Sequence, residues 1–165
     1  MFVGGGVQRK GLHHLLYAWQ RANLPSDSQL TLVCRSIQPE LAALADDTSR
    51  TTLRRGVTFE TLLSLYRGHT LFAMPSLIEG FGQVFLEAMS QGCPVLGTLN
   101  TCLPDVQSDK DIVHTVKPGN LDALVSTLEH LSSTLPGERT PRLRARERAQ
   151  HFTWSRFRSR IIDAT

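Results

Sequence analysis

Short apolar runs recur along this chain between stretches of helical periodicity, and that alternation restricts the fold more than any other feature. Strands are expected at Met1 to Gly4, Leu30 to Val33, Leu71 to Met74, Pro94 to Gly97 and Ile112 to Val116, with a weaker one at Thr51 to Leu53. Between them, Leu12, Leu15, Leu16 and Trp19 form one helical stripe, and Leu62, Leu63, Leu65 and Tyr66 crowd onto another. Further helices are expected at Pro39 to Ala45, Gln83 to Ser90 and Leu121 to Leu135, the last behind a Pro118-Gly119-Asn120 turn with Asn120 as N-cap. Arg142 to His151 and Trp154 to Ile162 complete the helical material. Repeated strand and helix in this order predict an α/β fold: a doubly wound parallel sheet with helices on both faces.

With 165 residues, 41% of them apolar, the chain fits one domain over residues 1–165. Its first strand begins at the first residue, so it is expected to be a fragment of a longer protein. No stretch approaches the roughly 20 apolar residues of a membrane-spanning helix, and no basic segment followed by an apolar run opens the chain. A cytoplasmic location is expected. Cys34, Cys93 and Cys102 are odd in number and lack CxxC spacing, which points to buried apolar residues rather than a disulfide framework or a zinc site.

In open α/β sheets, ligands settle beyond the carboxyl ends of strands. One loop there is Gly4-Gly5-Gly6-Val7-Gln8-Arg9-Lys10-Gly11, where glycines admit close backbone approach and two cations precede a helix, a combination suited to a diphosphate. It is neither a Walker A loop nor a complete GxGxxG, and a plain glycine turn with exposed charges explains it equally well. A second loop, Pro75 to Gly82, runs into a helix carrying Glu87, eight positions beyond Glu79. Ionised carboxylates accept strongly from sugar hydroxyls, and the amides of Gly80 to Gln83 would favour phosphate or sugar oxygens. The plainer alternative makes Glu79 a first-turn acid complementing the helix dipole and Glu87 a solvated residue. The six histidines show no ligand-like spacing, and adjacent His13 and His14 face different directions.

Glu79-Gly80-Phe81-Gly82, followed by Glu87-Ala88-Met89 and Gly92-Cys93-Pro94-Val95, resembles the EX7E signature of family-4 (group 1) GT-B glycosyltransferases. The resemblance extends through Phe2-Val3-Gly4, Arg9-Lys10-Gly11, Leu65-Tyr66, Pro75-Ser76 and Pro118-Gly119-Asn120 to Phe152-Thr153-Trp154, in the family's order. It implies one half of a GT-B fold, a Rossmann-like donor domain whose N-terminal acceptor domain is missing from this chain. By that resemblance the donor is a nucleoside-diphosphate sugar, a UDP-sugar ahead of a GDP-sugar, with no metal and no other cofactor. Gly5, Gly6, Arg9 and Lys10 would hold the diphosphate, Val57 beside Gly56 the base, Glu79 and the segment Gly80, Phe81, Gly82 and Gln83 the sugar, and Glu87 the ribose. Arg9, Lys10 and Glu79 would be the catalytic set.

Two departures from the family pattern stand out. Gly5 occupies the usual arginine position, so the adjacent Arg9-Lys10 pair looks more like the lipopolysaccharide-core hexosyltransferases, and Asp105 stands for glutamate after Leu103-Pro104. Retaining hexosyl transfer to a hydroxyl acceptor in a cell-envelope glycan is the implied reaction of the complete enzyme. A non-enzymatic nucleotide-sugar binding or regulatory module stays open as the alternative. Eight arginines between Glu138 and Arg160 leave three readings open, a solvated face, a segment that closes a two-domain enzyme, or peripheral contact with an anionic membrane. Without stacking aromatics along a groove they do not point to nucleic acid.

Overall fold

The computed structural model describes residues 1–107, 109, 111–153, 155 and 158. Among these residues six strands form: β1 (Phe2–Val3), β2 (Leu30–Val33), β3 (Thr51–Arg54), β4 (Phe72–Ala73), β5 (Val95–Thr98) and β6 (Val113–Val116). All neighbouring pairs are parallel, in two sheets ordered β1-β2-β3 and β4-β5-β6. Two main-chain bonds knit the sheets together, Ala73 N to Met1 O at 2.8 Å and Met1 N to Leu71 O at 2.6 Å. The strands therefore run in the order 3-2-1-4-5-6. Every residue of β2 and β5 is buried, whereas β3 is half exposed at the edge.

Helices cover both faces. α1 (Leu12–Arg21) packs against α2 (Pro39–Asp47) and α6 (Leu121–Thr134), while α4 (Gln83–Ser90) packs against α3 (Phe59–Gly68) and α7 (Thr140–Ala149). A short α5 (Leu103–Val106), absent from the expected elements, follows β5. Thr58 and Asn120 accept from Thr61 N and Ala123 N, so α3 and α6 begin on side-chain caps, the second as expected. α7 starts before Arg142 because Pro141 is tolerated in a first turn, where its missing N–H has no partner to lose. The helix expected over Trp154 to Ile162 lies outside the described residues apart from Ser155 and Arg158, and so does Trp154 of the terminal motif. Among the described residues no helix is long and apolar enough to cross a membrane.

Aromatic rings tie α3, β4 and α4 together: Tyr66 meets Phe72 edge-on at 5.7 Å, and Phe72 meets Phe85 edge-on at 5.4 Å. Such pairs contribute about 0.5–1.5 kcal/mol each beyond area burial. All three cysteines are buried and free, with burial pushing each thiol up to about 11, so they are unreactive packing residues as their spacing suggests. His69 is structural: Nδ1 lies 2.6 Å from Leu65 O and Nε2 lies 2.9 Å from Thr31 Oγ1. A carbonyl can only accept, so Nδ1 carries the proton and Nε2 takes the threonine hydroxyl, which ties the end of α3 to β2.

The arginines of α7 serve neighbouring helix ends. Arg142 donates to Arg67 O and His69 O at the end of α3, and Arg146 to Gln91 O after α4. Arg148 donates to Val106 O at the end of α5 at 2.7 Å, its guanidinium 4.8 Å above the Phe152 ring, and Arg144 pairs with Asp109 and Asp111. Helix ends leave carbonyls without intrahelical partners and carry partial negative charge, so cations there meet both needs.

One backbone contact constrains the whole arrangement. Gly11 sits in the left-handed region at φ 71°, and a Cβ there would lie 1.9 Å from Pro75 O. Gly11→Ala is expected to cost at least about 2 kcal/mol, through strain and overlap together. Gly68→Ala, where a Cβ meets nothing within 4 Å, is expected to be neutral or stabilising by up to about 1 kcal/mol. Denaturant unfolding of both variants checks the opposite signs.

Candidate functional site

The connections leaving β1 and β4 run to opposite sides of the sheet, β1 toward β2 and β4 toward β5. The gap between β1 and β4 at their carboxyl ends is thus the point where the strand order reverses, the usual ligand crevice of such sheets. Both glycine-containing loops of interest flank it.

The first loop is held open on one side and pinned on the other. Gly4 N donates to Val33 O at 3.0 Å and Gly6 N to Ser36 O at 2.8 Å, which fastens the loop to the chain after β2. Gly6 thus has its amide engaged, whereas a Cβ on Gly5 would meet nothing within 4 Å. The chain then makes a 3-10 turn, Gln8–Lys10, and Gly11 both ends that turn and opens α1. Arg9 and Lys10 are carried on this turn rather than on the helix.

That turn binds the second loop. Leu77 N donates to Arg9 O at 2.9 Å, and Arg9 Nη1 donates to Ile78 O at 3.1 Å. Lys10 Nζ is ion-paired with Glu79 Oε2, and Arg9 Nη1 stands 3.9 Å from Glu79 Oε1. The Glu79 side chain is only 11% exposed and Lys10 18%, while Arg9 is 53% exposed, so one cation is sequestered and the other reaches solvent. A third loop, after β5, closes the group: Glu79 N donates to Asn100 O, and Asn100 Nδ2 donates to Leu77 O, both at 3.0 Å.

Beyond Glu79, the exposed Gly80 and half-exposed Phe81 lead to Gly82, whose φ of 76° places it in the left-handed region as N-cap of α4. Gly82 has no side chain to cap this helix and no acid occupies its first turn, with Gln83 exposed as the first helical residue. Its amide end is therefore available to an anion.

Glu87 lies further along α4, half-buried, with Tyr66 Oη 3.5 Å from Oε2. Burial raises its carboxyl above the ordinary range, and the tyrosine hydrogen bond opposes that rise. The two carboxylates thus have different partners, Glu79 in the cationic turn and Glu87 in the side of α3. Val57 lies half-buried against the core, in the loop between β3 and α3. Asn100 and Tyr66 have parts that residue spacing did not reveal. Tyr66 stood among the motif residues without a role, and nothing in the sequence joins Asn100 to Glu79.

A separate depression lies elsewhere. Its volume is about 410 Å³ and it sits at the amino edge of the sheet, lined by Met1, Trp19, Leu30, His69, Leu71 and Leu131 among others. The carboxyl-edge crevice is the candidate site on the chemistry of its loops rather than on volume.

Residues 1–134 match the family model for glycosyl transferases group 1. Among curated proteins, the chain is 28% identical to an O-antigen chain mannosyltransferase B of Escherichia coli, covering 99% of this chain and 44% of that protein. It is 30% identical to an MMP alpha-(1->4)-mannosyltransferase of Mycolicibacterium hassiacum, over 76% of this chain and 32% of that one. The chain spans less than half the length of these relatives. Among solved structures, Anabaena Alr3699/HepE in complex with UDP and glucose superposes with a TM-score of 0.82 at 20% identity, over 99% of this chain and 47% of that one. That likeness shows a shared fold. The chain belongs to the group 1 glycosyltransferases.

The pH response of Glu87 has a definite sign. A carboxyl raised in the folded state contributes stability below its unfolded value, roughly 4.3, and that contribution is lost as pH rises through the folded value. Ionised Glu87 therefore costs stability at neutral pH. Glu87→Gln is expected to melt at a higher temperature than the parent at neutral pH, with the difference vanishing near pH 4. Thermal melts at both pH values check this.

Proposed function

We propose that this member of the group 1 glycosyltransferases is the donor-binding half of a retaining hexosyltransferase, acting on a nucleoside-diphosphate sugar and a hydroxyl acceptor in a cell-envelope glycan. The observation that carries the reading is the Arg9, Lys10 and Glu79 cluster at the β1/β4 switch point, beside the uncapped start of α4. A diphosphate arriving there takes Glu79's place against Lys10, and the displaced carboxylate turns to the hydroxyls of the transferred sugar. The amides of Gly80 to Gln83 take the remaining phosphate and sugar oxygens, with Gly5 leaving room on the other side.

As the bond between the anomeric carbon and the diphosphate breaks, negative charge grows on the leaving group. Arg9 and Lys10 stabilise that charge more in the transition state than in the ground state, filling the role a divalent metal has elsewhere. Glu87 accepts from the ribose hydroxyls, which explains why a carboxylate that costs stability stands in a half-buried position. Val57 and Gly56 flank the base.

A solved relative of the same fold is described with UDP and glucose, which supports a UDP-sugar ahead of a GDP-sugar. Relatives named as O-antigen and other mannosyltransferases support a hexose and a glycan acceptor. The second wall of the crevice comes from an acceptor domain on the N-terminal side of these residues. Exposed Ile78, Phe81 and Leu99, on the loops around Glu79, offer it an apolar contact. Transfer takes place in the cytoplasm, at the inner face of the membrane.

A thermal-shift panel of UDP, GDP and ADP with their sugars tests the donor. The preferred nucleotide is expected to stabilise the fold by about 2.7 kcal/mol at one hundred times its dissociation constant, and no shift with any of them overturns the reading. Lys10→Ala in the complete two-domain protein is expected to lower turnover on the order of 10²-fold. Unchanged turnover in a steady-state assay removes Lys10 from the mechanism.

A further inference from the structure

Tyr66 carries a hydroxyl that the packing around it does not require. Its ring is fully buried and meets Phe72 edge-on, and Phe72 in turn meets Phe85, two positions before Glu87 on α4. A phenylalanine would fill the same space and make the same ring contacts. The hydroxyl adds a donor in a place closed to water, where a donor without a partner is costly. The nearest acceptor is Glu87 Oε2, at 3.5 Å, longer than the roughly 2.5–3.0 Å of a well-formed O–H···O bond, a gap that a small turn of the carboxylate closes.

We propose that Tyr66 is a positioning residue, whose hydroxyl fixes the Glu87 carboxylate so that the ribose diol of the donor nucleotide is recognised, although Tyr66 itself touches no ligand. This rests on the assignment of Glu87 to the ribose. The physical case is one of freedom and charge. A glutamate side chain has three rotatable bonds, and a carboxylate that must accept from two adjacent hydroxyls at once needs a set orientation. The phenol pins one oxygen, leaving the other, and the remaining lone pairs, to the diol.

The phenol is also suited to that task chemically. Burial, and after it the charge of Glu87, holds the Tyr66 hydroxyl well above its ordinary range, so it stays protonated and acts as a donor. Its hydrogen bond in turn favours the ionised carboxylate against the effect of burial. The ring ladder from Phe72 to Phe85 keeps α3 and α4 in a fixed relation, so the donor and its acceptor move as one body.

The experiment compares the full chain with its Tyr66→Phe and Glu87→Ala variants. Calorimetry is run with UDP or GDP, whichever gives the larger thermal shift, and with its 2′,3′-dideoxy analogue. The parent is expected to prefer the ribonucleotide about tenfold or more, and Tyr66→Phe to lose about five- to tenfold in ribonucleotide affinity with the dideoxy affinity unchanged. Equal losses for both nucleotides, or an unchanged preference in Tyr66→Phe while Glu87→Ala loses it, overturn the positioning role and leave the ribose assignment standing. A parent without preference, or one that binds neither nucleotide, overturns both.

A second measurement needs no variant. The chain has two tyrosines, and Tyr17 is exposed on α1, so the ring carbon bearing the hydroxyl in Tyr66 can be followed by NMR in labelled protein. It is expected to shift with the ribonucleotide and not with the dideoxy analogue. No difference between the two ligands refutes the proposal even if Tyr66→Phe fails to fold.

Discussion

The contact on which the rest depends is made of backbone: the left-handed Gly11 lying against the Pro75 carbonyl, at the seam between the two halves of the sheet. Among the described residues, two main-chain bonds, between Ala73 and Met1 and between Met1 and Leu71, join β1 to β4. A seam with so few ladder bonds is held by the loops above it, through Arg9 O, Ile78 O and the Lys10–Glu79 pair. Site and seam are therefore the same construction. The strands bring β1 and β4 side by side, and the loops that cross their carboxyl ends are fastened to each other before any ligand is considered.

This explains the unequal exposure of the charges. Lys10 and Glu79 lie mostly out of water and compensate one another, which is the condition for placing charge beneath a surface. Arg9 reaches solvent and can meet an incoming anion first. Glu87 has a neutral phenol in place of a cation, and the folded state bears its charge at some loss of stability. A residue that opposes stability in this way is better explained by what it binds than by what it supports.

The basic C-terminal segment has a different logic. In α7, Arg142, Arg146 and Arg148 are turned to carbonyls at the ends of α3, α4 and α5, and Arg144 to Asp109 and Asp111. Over α7 this run of positive charge is a clasp on the helix ends on one side of the sheet. Charge alone could not distinguish these uses, because the carbonyls it serves lie up to 75 positions away in the chain.

The fold was largely legible in advance, since a period near 3.6 for helices and short apolar runs for strands are local properties carried by neighbouring residues. β2 matches its expected range, and β5 begins one residue later because Pro94 has no N–H for the ladder. The short α5 was missed because its hold comes from Arg148 and the loop after β5. For the site, the sequence by itself determined the chemical types and their order: glycines before a cation pair, then two carboxylates eight positions apart. Only the tertiary structure decided the partners. Lys10 meets Glu79 across 69 positions and Tyr66 meets Glu87 across 21, because parallel strands set their loops side by side at one edge while the chain between them travels through the rest of the sheet.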